Sequence, residues 1–491
     1  MHAFEPRTVG VAEPQSDART QSVQDACRTQ TQYEEFFMRL IHLFGTALTA
    51  SSLLAVQPGL AKAPPEEAAR LTQDLTPVGA EKAGNKAGTI PEWTPMSQSG
   101  PLKDFWPTNP KIDAEKPVFT ITAANMAQYA ENLTAGHSEL LKRYPDSYKI
   151  NVYPTHRNAT FPQEILDATV ANATTATLEG VDFPSGATLG IPFPIPQSGA
   201  EAIWNHKLKY RGTTARRYNN QMIVQLDGSF TLTKIVEDVN FYYGNLTLDP
   251  PVELKPGIPL IKYVSETLSP PRLAGTFIVA HEKAGTGPEG RAAWLYAPAL
   301  KRIRRAPAVC CDNPYEGTDG HQFYDQVDMF NGVLERFTWK LVGKREMFMP
   351  YNSHRIAGNT IKYDDIAHPQ HVNPELPRFE LHRAWVVEAE NKSDLRHTFK
   401  KIVFYIDEDS WSIFARDNYD HQGELMQLQE GHLISASNVL TTTSVPEVVY
   451  HFDSGRYFVT AMANEDKPTD ASLEFDDAYF EATSVQRRAA K

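Results

Sequence analysis

The chain has 491 residues and a formal net charge of −12, from 60 acidic and 48 basic side chains. This length is enough for a large buried core and for about two to four domains. Nucleic-acid-binding proteins generally need a net basic surface, so the acidic balance argues against that class. The three cysteines are too few for a framework of disulfide bonds.

The first part of the chain predicts an export signal. Residues 1–37 are polar and lack apolar periodicity, which is typical of disorder or of a mis-assigned start. Residues 38–61 begin with Met-Arg, continue with an apolar run and end with small residues, the order found in secretory signal peptides. A transmembrane anchor is the weaker alternative, because the run is short and interrupted by Thr and Ser. We expect translation from Met38 and cleavage before Lys62; no cysteine directly follows the run to carry a lipid anchor.

Two segments precede the predicted sheet. Residues 62–118 are dense in Gly, Pro and Asn and predict a loop-rich N-terminal arm, whose tryptophans suggest that it lies on a folded body. Residues 119–212 predict a helical and proline-rich segment that packs on the sheet. Within it, GIPFPIPQSG is a rigid extended connector, because proline restricts φ and lacks an N–H.

Three stretches of this second segment carry helix signals. Thr122 predicts the cap of a helix with apolar residues at i, i+3, i+4 and i+7. A weaker pattern covers residues 161–176. Ser198 and Glu201 form a capping-box pattern for a further helix, which Gly212 is expected to end.

From residue 213 to residue 491 the apolar period changes from 3.6 to 2. In 333–341 and 379–388 each strand has one apolar and one mainly polar face, as in an antiparallel sheet with one wet side. Further strands are predicted at 221–227, 229–243, 259–268, 273–282, 291–297, 399–407, 411–417, 425–440 and 447–462. Helices do not alternate with these strands, which argues against a parallel βαβ fold. The prediction is a mainly β (α+β) fold, in which one large curved antiparallel sheet is covered by helices and residues 62–491 form one domain.

Recognisable catalytic motifs are absent from the sequence, including G-x-S-x-G, H-E-x-x-H, the Walker loop and C-x-x-C. The strongest cluster lies in YDDIAHPQHVNPE and consists of Asp364, Asp365, His368, His371 and Glu375. Such nitrogen and carboxylate ligands can hold zinc. However, the prolines indicate a loop, which positions ligands poorly. We therefore expect a solvated loop, with no metal, no cofactor and no catalytic residues, and a metal-dependent hydrolase is the less favoured alternative.

Cys310 and Cys311 are adjacent in sequence. A bond between them would close a strained eight-membered ring, and strained disulfides are easily reduced. We favour the interpretation that they are two small buried apolar residues.

The stretch RAAWLYAPALKRIRRAP suggests an aromatic wall followed by a charged rim. Trp294 and Tyr296 stand two residues apart and therefore share a strand face. We predict that they line a ligand cavity, with Arg302 and Arg304 at its rim, where a guanidinium group suits an anionic head group. Predicted wall partners on two other strands are Phe337, Trp339, Phe379, Leu381 and Trp385. The alternatives are that the tryptophans are ordinary core beneath the helices and that the cations are solvated strand-end charges.

Six stretches form an ordered set between residues 72 and 352: LTPVGAEKAGNKAGTIPEWT, FTITAANMAQYAENLT, YPTHR, GIPFPIPQSGAEAIWNHKLKYRG, WLYAPALKRIRRAP and DQVDMFNGVLERFTWKLVGKREMFMPYN. Together they resemble the bacterial DUF1329 family. The resemblance implies an exported Gram-negative protein whose later half is similar to the lipoprotein-sorting fold of LolA and LolB. That fold is an open antiparallel half-barrel with helices in its mouth. The family has no established catalytic residues to carry over.

The resemblance also implies a role in envelope transport beside an RND-type transporter or outer-membrane components. We therefore predict a periplasmic protein that binds and shuttles a lipid-like or lipidated hydrophobic ligand without catalysing a reaction. Nucleic acid and a stable membrane anchor are not expected. The main alternative is a structural or adaptor subunit of an envelope complex, whose apolar sheet face is filled by its own helices.

Overall fold

Eighteen strands are formed by the residues that the structure describes, 62–285 and 290–490 of a computed structural model. The predicted signal peptide and residues 1–37 lie outside this part of the chain. The strands are Phe119–Ile121 (β1), Ile150–Val152 (β2), Thr177–Glu179 (β3), Phe183–Ser185 (β4), Thr214–Tyr218 (β5), Asn220–Val224 (β6), Phe230–Phe241 (β7), Pro259–Ser269 (β8), Phe277–Lys283 (β9), Arg291–Ala297 (β10), Arg302–Arg305 (β11), Phe337–Pro350 (β12), Phe379–Asn391 (β13), Lys401–Asp407 (β14), Ile413–Tyr419 (β15), Leu425–Ala436 (β16), Thr441–His451 (β17) and Tyr457–Met462 (β18).

Sixteen of these strands form one sheet, in the order β1-β2-β13-β14-β15-β16-β17-β18-β6-β7-β8-β9-β10-β11. In addition, β12 pairs with β13 and β5 pairs with β7, while β3 and β4 form a separate hairpin. The pairings are antiparallel apart from one parallel contact between β2 and β13. The predicted mainly β fold with one large antiparallel sheet is therefore confirmed.

Strand β7 joins the two halves of the sheet. Its residues 230–233 pair with β6, whereas residues 236–240 pair with β5. Its other edge pairs with β8. The sheet thus continues from the part built by β12–β18 into a second part built by β8–β11.

The central strands are buried on both faces, which the alternating sequence pattern did not predict. In β14, Val403 and Tyr405 pack into one apolar cluster with the helix residues Leu140 and Leu141. Their neighbours Ile402, Phe404 and Ile406 pack into a second cluster on the other face. The prediction of one wet side is therefore wrong for this strand, because chain segments from before residue 213 cover both faces.

The α-helices of the described residues are short, and those that matter below lie over the sheet. They are Pro65–Ala68 (α1), Pro110–Asp113 (α2), Ala135–Arg143 (α3), Gln163–Thr175 (α4), Gly199–Leu208 (α5), His354–Ala357 (α6), Tyr363–Ile366 (α7) and Ala482–Ala489 (α8). The helix predicted at 161–176 is confirmed by α4. Six 3₁₀ turns cover Ala69–Thr72, Met126–Asn132, Pro298–Leu300, Tyr324–Gln326, Leu334–Arg336 and Asp477–Phe480.

The helix predicted to begin after Thr122 starts later than expected. The Asn125 side chain accepts a hydrogen bond from the Thr122 amide at 2.7 Å and donates to the Thr120 carbonyl at 3.0 Å. Such local side-chain bonds compete with helical bonding. As a result, a 3₁₀ turn follows, and α3 begins only after Thr134, whose hydroxyl accepts from the His137 amide.

Helix α5 begins where the capping residues predict. The Ser198 hydroxyl accepts from the Glu201 amide at 3.3 Å, while the Glu201 carboxylate accepts from the Gln197 amide at 2.7 Å. The helix ends at Leu208, earlier than the predicted stop at residue 212. A Cβ at position 199 would lie 2.9 Å from a Val387 methyl carbon, so glycine lets the start of α5 approach β13 closely.

The N-terminal arm, residues 62–118, lies on the folded body, as its tryptophans predict. The indole of Trp93 donates to the Ala159 carbonyl at 2.8 Å, and that of Trp411 donates to the Val78 carbonyl of the arm at 2.9 Å. Gly79 adopts φ 89°, and a Cβ there would lie 1.8 Å from the Pro194 carbonyl oxygen. The arm therefore follows a path that a side chain at position 79 would block.

The C-terminal segment covers one face of β9–β11. Phe480, in the last 3₁₀ turn, and Val485, in α8, are fully buried. They form an apolar cluster with Val279 of β9 and Tyr296 of β10. This cover lies after the last strand that the sequence pattern predicted.

Candidate ligand-binding cavity

A cavity of about 690 Å³ lies on the other face of the second half of the sheet. Its walls come from β8, β9 and β10, from helix α5, and from two later segments, residues 305–311 and 331–336. The apolar lining includes Trp204, Leu260, Ile261, Ala293, Val309 and Leu334. Period-two alternation explains the two faces of β10, where Ala293 lines the cavity and its neighbour Trp294 belongs to the cluster on the opposite face.

Two smaller cavities adjoin the largest one. A space of about 110 Å³ shares Lys207, Ile261, Glu282 and Arg291 with it, among other lining residues. A third space of about 150 Å³ shares Asp328 with the second and extends to Phe105 and Trp106 of the N-terminal arm. Because neighbouring cavities share lining residues, they form a series along this face.

Lys207 enters the largest cavity from the last turn of α5. The side chain is half-buried, and its amine lies 5.6 Å from the ring centroid of Trp204 and 5.7 Å from that of Phe330. It donates to the Gly332 carbonyl at 3.0 Å and to the Asn331 side-chain oxygen at 3.4 Å. Desolvation by the surrounding protein lowers the pKa of the Lys207 amine to about 8.

Three arginines along the cavities, Arg291, Arg217 and Arg211, are paired with carboxylates. Arg291 lies 2.5 Å from Glu282 across β9 and β10. Arg217 lies 2.8 Å from Glu237, and Arg211 bonds to Asp328. Desolvation acts to raise the pKa of Asp328, but the combined attraction of Arg211, Lys209, His206 and Arg217 outweighs it, so the pKa lies below its ordinary range.

Asp182 contributes a carboxylate to the largest cavity. Its oxygen accepts from the Leu334 amide at 3.1 Å, which connects the β3–β4 hairpin to the cavity wall. Burial raises the pKa of Asp182 to about 6. The cavity therefore combines an apolar lining with eight charged side chains, those of Asp182, Lys207, Glu282, Lys283, Arg291, Arg305, Glu335 and Arg336.

Cys310 and Cys311 also line the largest cavity. Both are free thiols, with their sulfurs 2.7 Å apart, and Cys311 is buried while Cys310 is half-buried. The hydrogen bond from the Cys311 thiol lowers the pKa of Cys310 to about 6 and raises that of Cys311 above its usual range. The predicted burial thus holds for Cys311, and both sulfurs lie beside the candidate site.

The predicted aromatic wall of β10 lies away from this cavity. The Tyr296 hydroxyl donates to the Ala489 carbonyl of α8 at 3.3 Å, and Trp294 packs in the same C-terminal cluster. The strand register puts Arg302 and Arg304 opposite Ala297 and Leu295, and both cations are exposed at the sheet edge. Trp294 and Tyr296 therefore pack against the C-terminal segment and are not among the residues that line this cavity.

The other predicted wall residues lie in two separate clusters. Phe337, Trp339 and Trp385 pack in the cluster beneath α5, and the Trp339 indole donates to the Leu334 carbonyl at 2.8 Å. Phe379 and Leu381, at the far end of β13, pack in the other cluster. Leu381 lines a separate cavity of about 630 Å³ between β12, β13 and the N-terminal arm. The predicted set is therefore not brought together, since its members lie at different ends and faces of long strands.

Three members of the histidine and carboxylate cluster at residues 364–375, His371, Asp365 and Glu375, have hydrogen-bond or ion-pair partners within the chain. The two ring nitrogens of His371 lie within 2.9 Å of the Ser147 hydroxyl and the Val372 carbonyl. Asp365 accepts from the Lys362 amide at the start of α7, and Glu375 pairs with Lys149 at 2.5 Å. These partners account for the positions of the three side chains.

A different group of possible metal ligands occurs among the described residues. His382, Asp407 and Asp409 are buried, and their ligand atoms lie within 4.8 Å of one another. However, the guanidinium of Arg157 already binds both oxygens of Asp409, at 2.8 and 2.9 Å. Asp407 accepts from the Ser410 hydroxyl at 2.6 Å. The charge of Asp409 is therefore neutralised by Arg157.

Comparison with known proteins identifies the family. The family model described as "Protein of unknown function (DUF1329)" matches residues 120–486. The chain belongs to the DUF1329 family. A relative from Pseudomonas aeruginosa, the uncharacterized protein PA3922, is 41% identical over 428 residues, which cover 87% of this chain and 93% of the relative. The resemblance found in the sequence motifs is thus confirmed.

Two solved structures are similar to this DUF1329 chain. One is described as an outer membrane lipoprotein-sorting protein domain from Vibrio parahaemolyticus, with 13% identity and a TM-score of 0.40, covering 59% of this chain and 98% of its own. The other is a DUF1329 family protein from Desulfovibrio piger, with 14% identity and a TM-score of 0.37, covering 56% of this chain and 92% of its own.

The DUF1329 match contains every element that lines the largest cavity, from Asp182 to Arg336. Sequence reasoning did not select Lys207, Asp182 or Arg291. A signal for Lys207 was present, because it follows Trp204 by three residues and therefore shares its helix face. Across residues 62–285 and 290–490, none of the helices combines the length and the apolar composition needed to cross a bilayer.

Proposed function

We propose that this DUF1329 protein binds a lipid-like or lipidated hydrophobic ligand in the 690 Å³ cavity and shuttles it through the periplasm without catalysing a reaction. The observation that carries the proposal is the cavity itself, with an apolar lining from the sheet and α5. Its volume lies within the range of about 300–1,000 Å³ that is common for ligand pockets. Each buried methylene contributes about 0.8 kcal/mol, so a partly buried acyl chain suffices for binding.

Further parts of the proposal come from the sequence. The signal-peptide pattern of residues 38–61 supports export, and the family resemblance supports a place beside an RND-type transporter or an outer-membrane acceptor. The alternative is an adaptor without a ligand. A cavity of this size favours the carrier, because in an adaptor without a ligand the protein's own side chains would be expected to fill this space.

The test is the ligand content of protein purified from a Gram-negative periplasm, measured by native mass spectrometry and lipid extraction. Ala293→Phe adds a ring to the buried cavity wall and should abolish co-purified lipid. Ala297→Phe is the matched control, because it makes the same change on the same strand outside the residues that line this cavity. Circular dichroism checks the fold of both variants. A wild type without extractable lipid and without affinity for a neutral apolar dye would contradict the carrier function and favour the adaptor.

A further inference from the structure

We propose that Lys207 is the binding site for an anionic head group, a carboxylate or a phosphate monoester, on the ligand of the largest cavity. This inference rests on the proposed carrier function and gives its ligand a chemical class: a single apolar chain that ends in an anion. The proposal moves the anion site away from Arg302 and Arg304, which are exposed at the sheet edge, to a cation inside the cavity.

The first observation is that Lys207 lacks an acidic partner among the residues described. No carboxylate oxygen of residues 62–285 or 290–490 forms an ion pair with its amine within 4.0 Å. Its hydrogen bonds go to neutral oxygens of Asn331 and Gly332. A desolvated ammonium ion held by neutral dipoles and aromatic rings is poorly compensated, so an anion that reaches it gains a strong interaction.

The second observation is the contrast with the arginines nearby. Arg291 is held by Glu282 and Arg211 by Asp328, so their charges are already neutralised. Lys283 and Arg305 also line the largest cavity without an ion pair among the described residues, but Arg305 is exposed, and Lys207 is the cation that stands on α5 beside the ring of Trp204. A compact ammonium on a flexible stem can also follow a head group, which suits ligands with chains of different length.

The third observation is the direction from which a ligand would approach. Trp204, one turn before Lys207 on α5, lines the same cavity, together with Leu260 and Ala293 of the sheet. An apolar chain packed on these residues would bring its polar end to the Lys207 amine. The charged groups that act on this amine from neighbouring elements are Asp182, Arg211, Glu282 and Arg291. A bound anion must compensate for the repulsion from the two carboxylates, and the two arginines assist it.

The experiment compares probes that share a chain and differ in head group: lauric acid, dodecyl phosphate and dodecanol. Their affinities are measured on the lipid-extracted mature protein by displacement of the neutral dye N-phenyl-1-naphthylamine. We expect Lys207→Met to weaken binding of at least one of the two anions about tenfold or more, and to leave dodecanol within about twofold. Lys207→Arg should restore most of the loss, because it returns the positive charge. Thermal melting confirms that both variants are folded.

The pH dependence gives an independent readout. As the pH rises from about 7 to about 9.5, the Lys207 amine loses its proton and anion affinity should fall in the wild type, while dodecanol affinity stays constant. The same fall should be absent in Lys207→Met.

Each outcome separates the head-group site from the carrier function. If dodecanol binds but Lys207→Met binds both anions as tightly as the wild type does, the anion site is wrong and the carrier function stands. If none of the three probes binds the wild type, the carrier function itself fails. Loss confined to dodecyl phosphate or to lauric acid supports the site and identifies which anion it takes.

Discussion

At the scale of single residues, one buried arginine holds the N-terminal arm on the sheet. Arg157, from the YPTHR stretch, is buried and binds Asp409 through two nitrogens. It also donates to backbone carbonyls of the arm, including that of Glu81 at 2.6 Å. One guanidinium therefore joins the N-terminal arm to the turn between β14 and β15, which gives the short motif a structural role.

We expect Arg157→Met to lower the free energy of unfolding by about 3–5 kcal/mol, because it leaves a buried carboxylate without its partner. Urea unfolding measures the loss. Arg70→Met is the control: Arg70 pairs with Glu67 and Asp74 on the surface, where screening by water leaves such pairs with little effect on stability. Equal effects of the two substitutions would contradict the assigned role of Arg157.

The buried carboxyl group of Glu447 should make the free energy of unfolding depend on pH. Burial raises its pKa from 4.5 to about 8, so between these values the folded state keeps a proton that the unfolded state releases. The stability from this group is complete below about pH 4.5 and is lost as the pH rises through about 8. Glu447→Gln removes this loss. Between pH 5 and pH 8, the free energy of unfolding of the variant should therefore rise by more than about 1 kcal/mol relative to that of the wild type. Urea unfolding at both pH values tests this, with the exposed Glu424→Gln as the control; a difference that does not change with pH would refute it.

At the scale of elements, strand β10 separates two environments. Trp294 and Tyr296 face the C-terminal helix α8, whereas Ala293 faces the cavity. Alternation within a strand shows which residues share a face. It does not show which face a later segment of the chain will cover, and here the cover comes from residues 477–489.

The two faces of β10 should respond differently to substitution. Trp294→Leu removes packing against α8 and should lower the free energy of unfolding by about 1–3 kcal/mol while co-purified lipid is retained. Ala293→Phe should abolish co-purified lipid, and it should change the free energy of unfolding less than Trp294→Leu does. Lipid extraction and thermal melting of both variants provide the measurements. Loss of lipid from a folded Trp294→Leu protein would restore the original prediction that this tryptophan lines the ligand site.

At the scale of the whole molecule, sixteen of the described strands form one continuous sheet, and its second half carries the 690 Å³ cavity. The predicted signal peptide, residues 38–61, lies outside them. We expect the exported protein to begin near Lys62, because cleavage there leaves small residues at the required spacing. Intact mass after expression in a Gram-negative host measures the start. A product that retains residues 1–37, or one found in carbonate-washed membranes, would refute the predicted export.

Local sequence determined much of the fold. Period-two alternation in β7, β8 and β13 and the capping pair Ser198 and Glu201 predicted elements close to their observed positions, because these signals depend on neighbours in the chain. The motif set also determined the family.

The cavity and the double burial of β14 were decided by the tertiary structure. Lys207 reaches the cavity because α5 lies beside β8–β10, and its neighbour Ala293 is about 90 positions away in sequence. Such contacts depend on which segments cover which face of the sheet. The segments that cover a sheet face come from distant parts of the chain. The apolar period of a single strand therefore does not predict which face they cover.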